Sequence, residues 1–203
     1  MDLYKIIVTI ERKIKIKYYR FFYRLFLKKM GKNVCILSPL HIDRPQNIYI
    51  GNDVIIREHT WLASVPLTGF KDSALIISDG TIIGHFNHIY ATKKIVIEEN
   101  VLTADKVYIS DNFHGYENIH IPIKNQPIQQ KNEVLIGAGT WIGENSCILG
   151  VRIGKQCVIA ANSVVTKDIP DFCVVAGVPA KIIKRFCVDS QMWCRTDVYG
   201  EFN

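Results

Sequence analysis

The sequence lacks any uninterrupted apolar run of transmembrane length, although its mean hydropathy is slightly positive at +0.10. Charges are scattered through the apolar residues near its start, so neither a spanning helix nor a signal peptide is expected there. It has no C-x-x-C pair and no metal-ligand spacing of Cys and His, so no metal is expected. The glycine-rich signatures of P-loop and dinucleotide sites are missing too. The six cysteines, Cys35, Cys147, Cys157, Cys173, Cys187 and Cys194, are read as reduced thiols of a cytoplasmic protein. What remains is ordinary globular composition: 203 residues, 48% hydrophobic and 22% charged, enough for one sizeable core.

The net charge of +6 is unevenly placed. Residues 1–32 hold ten Lys and Arg against Asp2 and Glu11, which leaves the rest of the chain slightly acidic. Leu3, Ile7, Ile10, Ile14, Tyr18, Phe21 and Leu25 recur at spacings of three and four, which predicts an amphipathic helix from residue 3 to about 29, with Gly31 as its stop. Lys13, Lys17, Arg20, Arg24 and Lys28 occupy much of its other surface. Two readings stand open. The apolar stripe packs on the main domain or a neighbouring subunit, or it lies on an anionic membrane surface through residues 1–30. No base-reading motif accompanies the charge, so nucleic acid is not an expected partner.

From about Ile48 to Pro170 the sequence repeats every six residues. Ile136-Gly137-Ala138-Gly139-Thr140-Trp141 is followed by Ile142-Gly143-Glu144-Asn145-Ser146-Cys147, then by Ile153-Gly154-Lys155-Gln156-Cys157-Val158. Earlier hexads begin at Ile50, Ile97 and Thr103. An aliphatic residue at every sixth position points inward on each face of a three-sided coil. A small or branched residue four places later fills the interior beside it, which is where Cys157 falls. About eighteen residues make one turn, and turns stack at about 4.8 Å by parallel pairing. The expected fold is therefore all-β, a triangular parallel β-helix, with the basic helix at 1–32, the β-helix at 33–186 and a tail at 187–203. Residues 63–75 and 111–133 interrupt the repeat, and Leu149-Gly150 marks a smaller slip. A long loop leaving a rigid solenoid is where function is usually carried.

Several blocks together resemble the hexapeptide-repeat acyltransferases: Asn87-His88-Ile89, Asp111-Asn112-Phe113-His114-Gly115-Tyr116, Trp141-Ile142-Gly143-Glu144-Asn145, Ser163 to Pro170, and Ala176-Gly177-Val178-Pro179-Ala180-Lys181. More narrowly, they are similar to the maltose and galactoside acetyltransferases and the capsule and exopolysaccharide O-acetyltransferases. The resemblance covers roughly residues 45–186. It implies a left-handed β-helix, a homotrimer with active sites between subunits, acetyl-CoA as co-substrate, and a loop histidine as general base.

Carried onto this chain, the resemblance makes His114 the base that deprotonates the acceptor hydroxyl. Histidine suits that task because its ordinary pKa lies near working pH. Asn87, His88, Asp111, Tyr116 and Trp141 are implied on the acceptor side. Asp111 would orient His114 or meet the sugar, with a turn role standing equally beside these, and His88 has an equal reading as a packed or capping histidine. Gly139, Ala161, Thr166, Lys167, Lys181 and Lys184 are implied on the CoA side. Backbone N–H groups near Gly139 and Trp141 are candidates for holding the oxyanion. One departure is that Asn112 stands where many capsule-type relatives carry a second histidine.

The acceptor expected from the resemblance is a sugar or lipid-linked glycan in capsule, exopolysaccharide or lipopolysaccharide synthesis, modified in the cytoplasm or at the inner face of the cell membrane. The competing readings are an acetyltransferase for an antibiotic or small metabolite, and a zinc enzyme of the carbonic anhydrase type. The spacing of His41, His59, His85, His88, His114 and His120 does not reproduce the latter.

Overall fold

The computed structural model describes residues 3–197 and 200–202. Met1, Asp2, Val198, Tyr199 and Asn203, which belong to the predicted N-terminal segment and C-terminal tail, lie outside the described residues. The chain visits three parallel sheets in strict rotation. The first holds Lys29–Met30, Ile48–Ile50, Ala74–Ile77, Lys94–Ile97, Val134–Ile136 and Arg152–Ile153. The second runs from Cys35–Ile36 through Ile55–Ile56, Ile82–Ile83, Leu102–Thr103, Trp141–Ile142 and Val158–Ile159 to Cys173–Gly177. The third holds His41–Asp43, Trp61–Ser64, His88–Ala91, Tyr108–Ser110, Cys147–Leu149 and Val164–Val165. This is the predicted three-sided parallel coil.

The hexad register accounts for the core. Ile136, Ile142, Ile148, Ile153 and Ile159 are all buried, one for each side of successive coils. Thr140, Ser146, Cys157 and Ser163, four places after an inward aliphatic, are buried as well. The hydroxyls of Thr140 and Ser146 donate to the Gly154 and Ala160 carbonyls of the coil above, whereas the buried Ser163 hydroxyl of the last coil has no partner within the chain. Burial pushes the Cys157 thiol up to about 11, consistent with an inert interior cysteine. At the slip after Leu149, Gly150 turns the corner at φ 56° and donates to the Ser110 carbonyl. That left-handed conformation favours glycine.

The coil starts earlier than the repeat shows, at Lys29 rather than about Ile48 or residue 33. The helix, α1 (Leu3–Arg24), correspondingly ends short of residue 29. Leu27 is drawn into the core, and the Lys28 N–H bonds the carbonyls of Pro45 and Ile48. The first coil thus competes for this segment and wins, and Gly31 lies well past the helix end. At the other end, Ala180–Cys187 and Met192–Arg195 fold back antiparallel on the last strand of the second sheet. The described part of the tail therefore extends that sheet.

Both interruptions leave at the same corner, between the third sheet and the first, and they are tied together there. Residues 112–130 form an antiparallel hairpin, Asn112–His114 against Ile128–Gln130. Its base is held by Asp111, whose side chain is fully buried. One carboxylate oxygen accepts from the Thr92 N–H at 2.7 Å and hydroxyl at 2.9 Å; the other accepts from the Lys93 and Lys94 N–H groups, each at 2.8 Å. Gln130 donates to the Asp111 carbonyl at 2.6 Å and accepts from Thr68 of the earlier loop at 2.6 Å. Lys93 adds an ion pair with Glu133 at 3.1 Å and lies 4.7 Å over the Phe70 ring.

Of the roles considered for Asp111, the structure bears out the turn role: its carboxylate is occupied by the Thr92, Lys93 and Lys94 N–H groups, the Thr92 hydroxyl and the Asn112 amide, and is fully buried from an acceptor. Asp111→Ala should lower unfolding stability by about 3 kcal/mol or more, because several buried donors lose a charged acceptor at once. Urea unfolding of the variant measures this, and a change below about 1 kcal/mol would contradict the anchoring role.

Candidate active site

His114 ends the outgoing strand of the hairpin, opposite Ile128, with an exposed side chain. The anchored base of the hairpin therefore carries the exposed imidazole on a braced ribbon outside the coil. Asn112, beside it, donates to the Tyr90 carbonyl and the Asp111 carboxylate, a local bracing role for the position where relatives carry histidine. Tyr116 is exposed and lines an open hollow of about 500 Å³ in the hairpin tip with Asn118, Ile119, His120 and Pro122.

Asn87 does not take the acceptor-side place expected of it. It stands four places after the inward Ile83, at the same corner position as Ser146 and Ser163, and its side chain points into the coil. Its amide donates to the Ala104 carbonyl at 2.9 Å and its oxygen accepts from the Val107 N–H at 3.1 Å. It therefore closes a corner and presents nothing to an acceptor in this chain.

Of the two readings of His88, packing prevails. Its ring stacks on Trp61 at 4.3 Å and 7°, with Tyr90 edge-on at 5.9 Å and Tyr108 tilted at 5.2 Å. Trp61 is itself held by a 2.7 Å bond from its indole N–H to Asp43. Burial lowers the His88 pKa below the ordinary imidazole value, with Asp43 opposing weakly, and its Nε2 is buried without a partner. This aromatic ladder carries no sequence signature beyond its parts, because Trp61, His88 and Tyr108 lie on successive coils.

Trp141 is 48% exposed on the outer face of the second sheet, between Leu102 and Val158. Its side chain is available, but its backbone N–H is not: that group donates to the Cys157 carbonyl at 2.9 Å. The Gly139 N–H bonds the Glu99 carbonyl at 3.0 Å, and the Ala138 N–H bonds the Glu98 carboxylate at 3.0 Å. The backbone N–H groups of Gly139 and Trp141 themselves are thus engaged by neighbouring coils and are not free for an oxyanion.

Ala161, Thr166 and Lys167 are exposed on the last coils, and Lys181 and Lys184 are exposed on the returning strand. Lys167, Lys181 and Lys184 make no ion pair among the described residues, so their charges remain for an anionic ligand. Elsewhere His85 is clamped between Glu58 at 3.1 Å and Asp105 at 3.0 Å, at a corner remote in the repeat from the hairpin. Burial pushes the Asp105 carboxyl up, but bonds from the His85 backbone and ring outweigh this and hold it below its usual value.

Within one chain the exposed candidates leave two different sides of the prism: His114 and Lys167 from the third-to-first corner, and Trp141, Lys181 and Lys184 from the second sheet. His88 makes the fold sensitive to acid. Its folded pKa lies below its unfolded value, so the unfolded chain binds the extra proton first, and stability declines as pH falls below about 6.5. The thermal midpoint measured between about pH 7.5 and 5.5 should drop more steeply for the natural protein than for His88→Phe, and equal slopes would refute the lowered imidazole pKa.

The family described as a hexapeptide repeat of succinyl-transferase matches residues 133–167. The putative lipopolysaccharide biosynthesis O-acetyl transferase WbbJ of Escherichia coli K12 is 34% identical over 155 residues, covering 71% of this chain and 79% of that protein. Two solved structures share the fold. The N-acyltransferase AntD from Bacillus cereus, in complex with dTDP and 3-hydroxybutyryl-CoA, superposes with a TM-score of 0.67 at 22% identity over 82% of this chain and 87% of that one. A galactoside acetyltransferase in complex with coenzyme A superposes with a TM-score of 0.58 at 24% identity, over 93% and 79% respectively. With the repeat filling its core, a relative of this identity matched over most of its length, and a histidine-bearing hairpin between its coils, the chain belongs to the hexapeptide-repeat acetyltransferases.

Proposed function

We propose that the protein transfers an acetyl group from acetyl-CoA to a sugar hydroxyl during capsule, exopolysaccharide or lipopolysaccharide synthesis, with His114 as general base. The observation that carries this reading is the hairpin: a buried carboxylate and Gln130 anchor a ribbon whose last outgoing residue is an exposed imidazole. His114 would take the proton of the acceptor hydroxyl as its oxygen attacks the thioester carbonyl. The C–S bond then breaks, an ester C–O bond forms, and the proton passes to the departing thiolate. No acyl-enzyme is required. Cys157 and Cys173 are buried with raised thiol pKa values, which suits neither to nucleophilic attack.

The dispersal of the exposed candidates over different sides of one prism favours a site shared between subunits. A homotrimer of left-handed coils would bring the hairpin of one subunit to the second sheet of its neighbour. Trp141 then walls the groove, Ala161 lines the pantetheine arm, and Thr166, Lys167, Lys181 and Lys184 meet the CoA phosphates and nearby polar groups. Holding both substrates in one groove supplies much of the acceleration. Tyr116 lies on the acceptor side, and its ring gives a sugar an apolar face. The WbbJ relative supports a glycan acceptor. A lipid-linked glycan, met at the inner face of the cell membrane, is the form proposed here.

The test is an acetyl-CoA assay with thiol detection against sugars, nucleotide-sugars and lipid-linked glycans, with antibiotics as the contrasting arm. His114→Ala should reduce transfer by about a hundredfold to ten-thousandfold while coenzyme A binding and assembly persist; undiminished turnover would remove His114 as base. Lys181→Ala should raise the apparent KM for acetyl-CoA and leave kcat nearly unchanged, and a loss confined to kcat would contradict the phosphate contact.

A further inference from the structure

The apolar stripe of α1 does not face its own domain. The helix is fastened to the first coil through Tyr19 and Tyr23, which pack against the core, and through Arg20, whose Nε donates to the Val34 carbonyl at 2.8 Å. At 3.6 residues per turn, Tyr19 and Tyr23 lie on nearly the opposite side from Ile7, Ile14, Phe21 and Leu25. The stripe from Leu3 to Leu25 is accordingly turned outward, each of its members between 52% (Ile10) and 71% (Phe21) exposed. The expected packing of the stripe on the main domain of the same chain is therefore overturned; a neighbouring subunit or a membrane surface remains to cover it. Tyr4, Phe22 and Phe26 widen the exposed face with aromatic rings. So extensive an apolar surface on one element marks an interaction site.

We infer that this face docks on an anionic lipid surface, with the stripe set into the headgroup boundary. The inference names the partner for the membrane-side location proposed above and is independent of the acetyl-transfer chemistry. Charge decides between a lipid surface and a second copy. Lys13, Lys17 and Arg24 follow one flank of the stripe at spacings of four and seven, and all other charges of α1 but one are basic. The exception, Glu11, is already paired with Lys15 at 2.6 Å. Two such helices laid stripe to stripe would bring like charges together with no free carboxylate between them. Lys28, Lys29 and Lys32 of the first coil continue the basic run directly beyond the helix.

Anionic headgroups answer that pattern. Apolar and aromatic side chains enter the acyl boundary while the long basic side chains reach phosphates at its level. Among the described residues no helix is long and apolar enough to cross a membrane, so α1 would lie along the surface. The helix is roughly 33 Å long at 1.5 Å per residue, and with its basic flank it combines the two attractions, apolar burial and charge, that surface binding needs.

The test is co-sedimentation of the full chain with vesicles of phosphatidylcholine alone or mixed with phosphatidylglycerol. Expected are binding to the mixed vesicles, at least about tenfold weaker binding to neutral ones, and release at about 0.5 M salt. Ile14→Glu/Phe21→Glu and Lys13→Gln/Lys17→Gln/Arg24→Gln should each lose vesicle binding by about tenfold or more, with the mass of the assembly and transfer to a soluble acceptor unchanged. Natural protein that stays in the supernatant with all vesicles overturns the inference. So does a double variant that still binds, or one whose assembly falls to a lower mass, which would give the stripe to a second copy. Because the vesicle assay needs no turnover, failure here and failure of the acetyl-transfer reading are separately visible.

Discussion

The structure depends on one constraint: each coil must offer its backbone to the coil above and below while placing an aliphatic side chain inward at every sixth residue. A single coil satisfies neither need, since its edges are unpaired and its inner face is wet. Stacked coils meet both needs together. The same ladder limits what the backbone can do elsewhere. The N–H groups of Gly139 and Trp141 are spent on the carbonyls of Glu99 and Cys157, so neither is left to hold a developing charge. Asn87, carried at an inward corner position, is likewise absorbed into the coil.

Insertions are tolerated only at corners, where they do not break a strand pair. Both large ones emerge at the same corner and are bonded to each other through Thr68 and Gln130. The buried Asp111 carboxylate gathers the N–H groups of Thr92, Lys93 and Lys94, turning a flexible departure into a fixed one. A buried carboxylate met by backbone donors is a stable arrangement, whereas the same group left facing an acceptor would have to be desolvated each time one bound. It is by position, at the end of this braced ribbon, that His114 becomes the leading candidate for the base.

Much of this was legible in the residues. Inward aliphatics at Ile136, Ile142, Ile153 and Ile159 required a three-sided coil, and the place of Cys157 in the interior followed from its hexad. The first coil was not legible, because its segment, from Lys29 to Asp43, departs from the repeat and is recruited by pairing with Ile48–Ile50 and its successors. Bonds such as Thr68 to Gln130 and the stack of Trp61 on His88 join residues far apart in sequence, and nothing local at either partner announces them. Asn87 is the instructive case: the register already assigned it an inward place, against the role that likeness to other proteins suggested.

By itself the sequence determined the β-helix, the corner positions, the two interruptions and the existence of an amphipathic, basic helix, because periodicity is a local property that each segment carries. Only the tertiary structure decided which side of that helix faces out. The stripe with the strongest period is not the one that packs; Tyr19, Tyr23 and Arg20 hold the helix to the first coil, and the stripe is left in the open. A helical period reveals that one face is apolar. What covers that face depends on where the neighbouring coil presents a carbonyl and an apolar edge, and that is a matter of the folded stack.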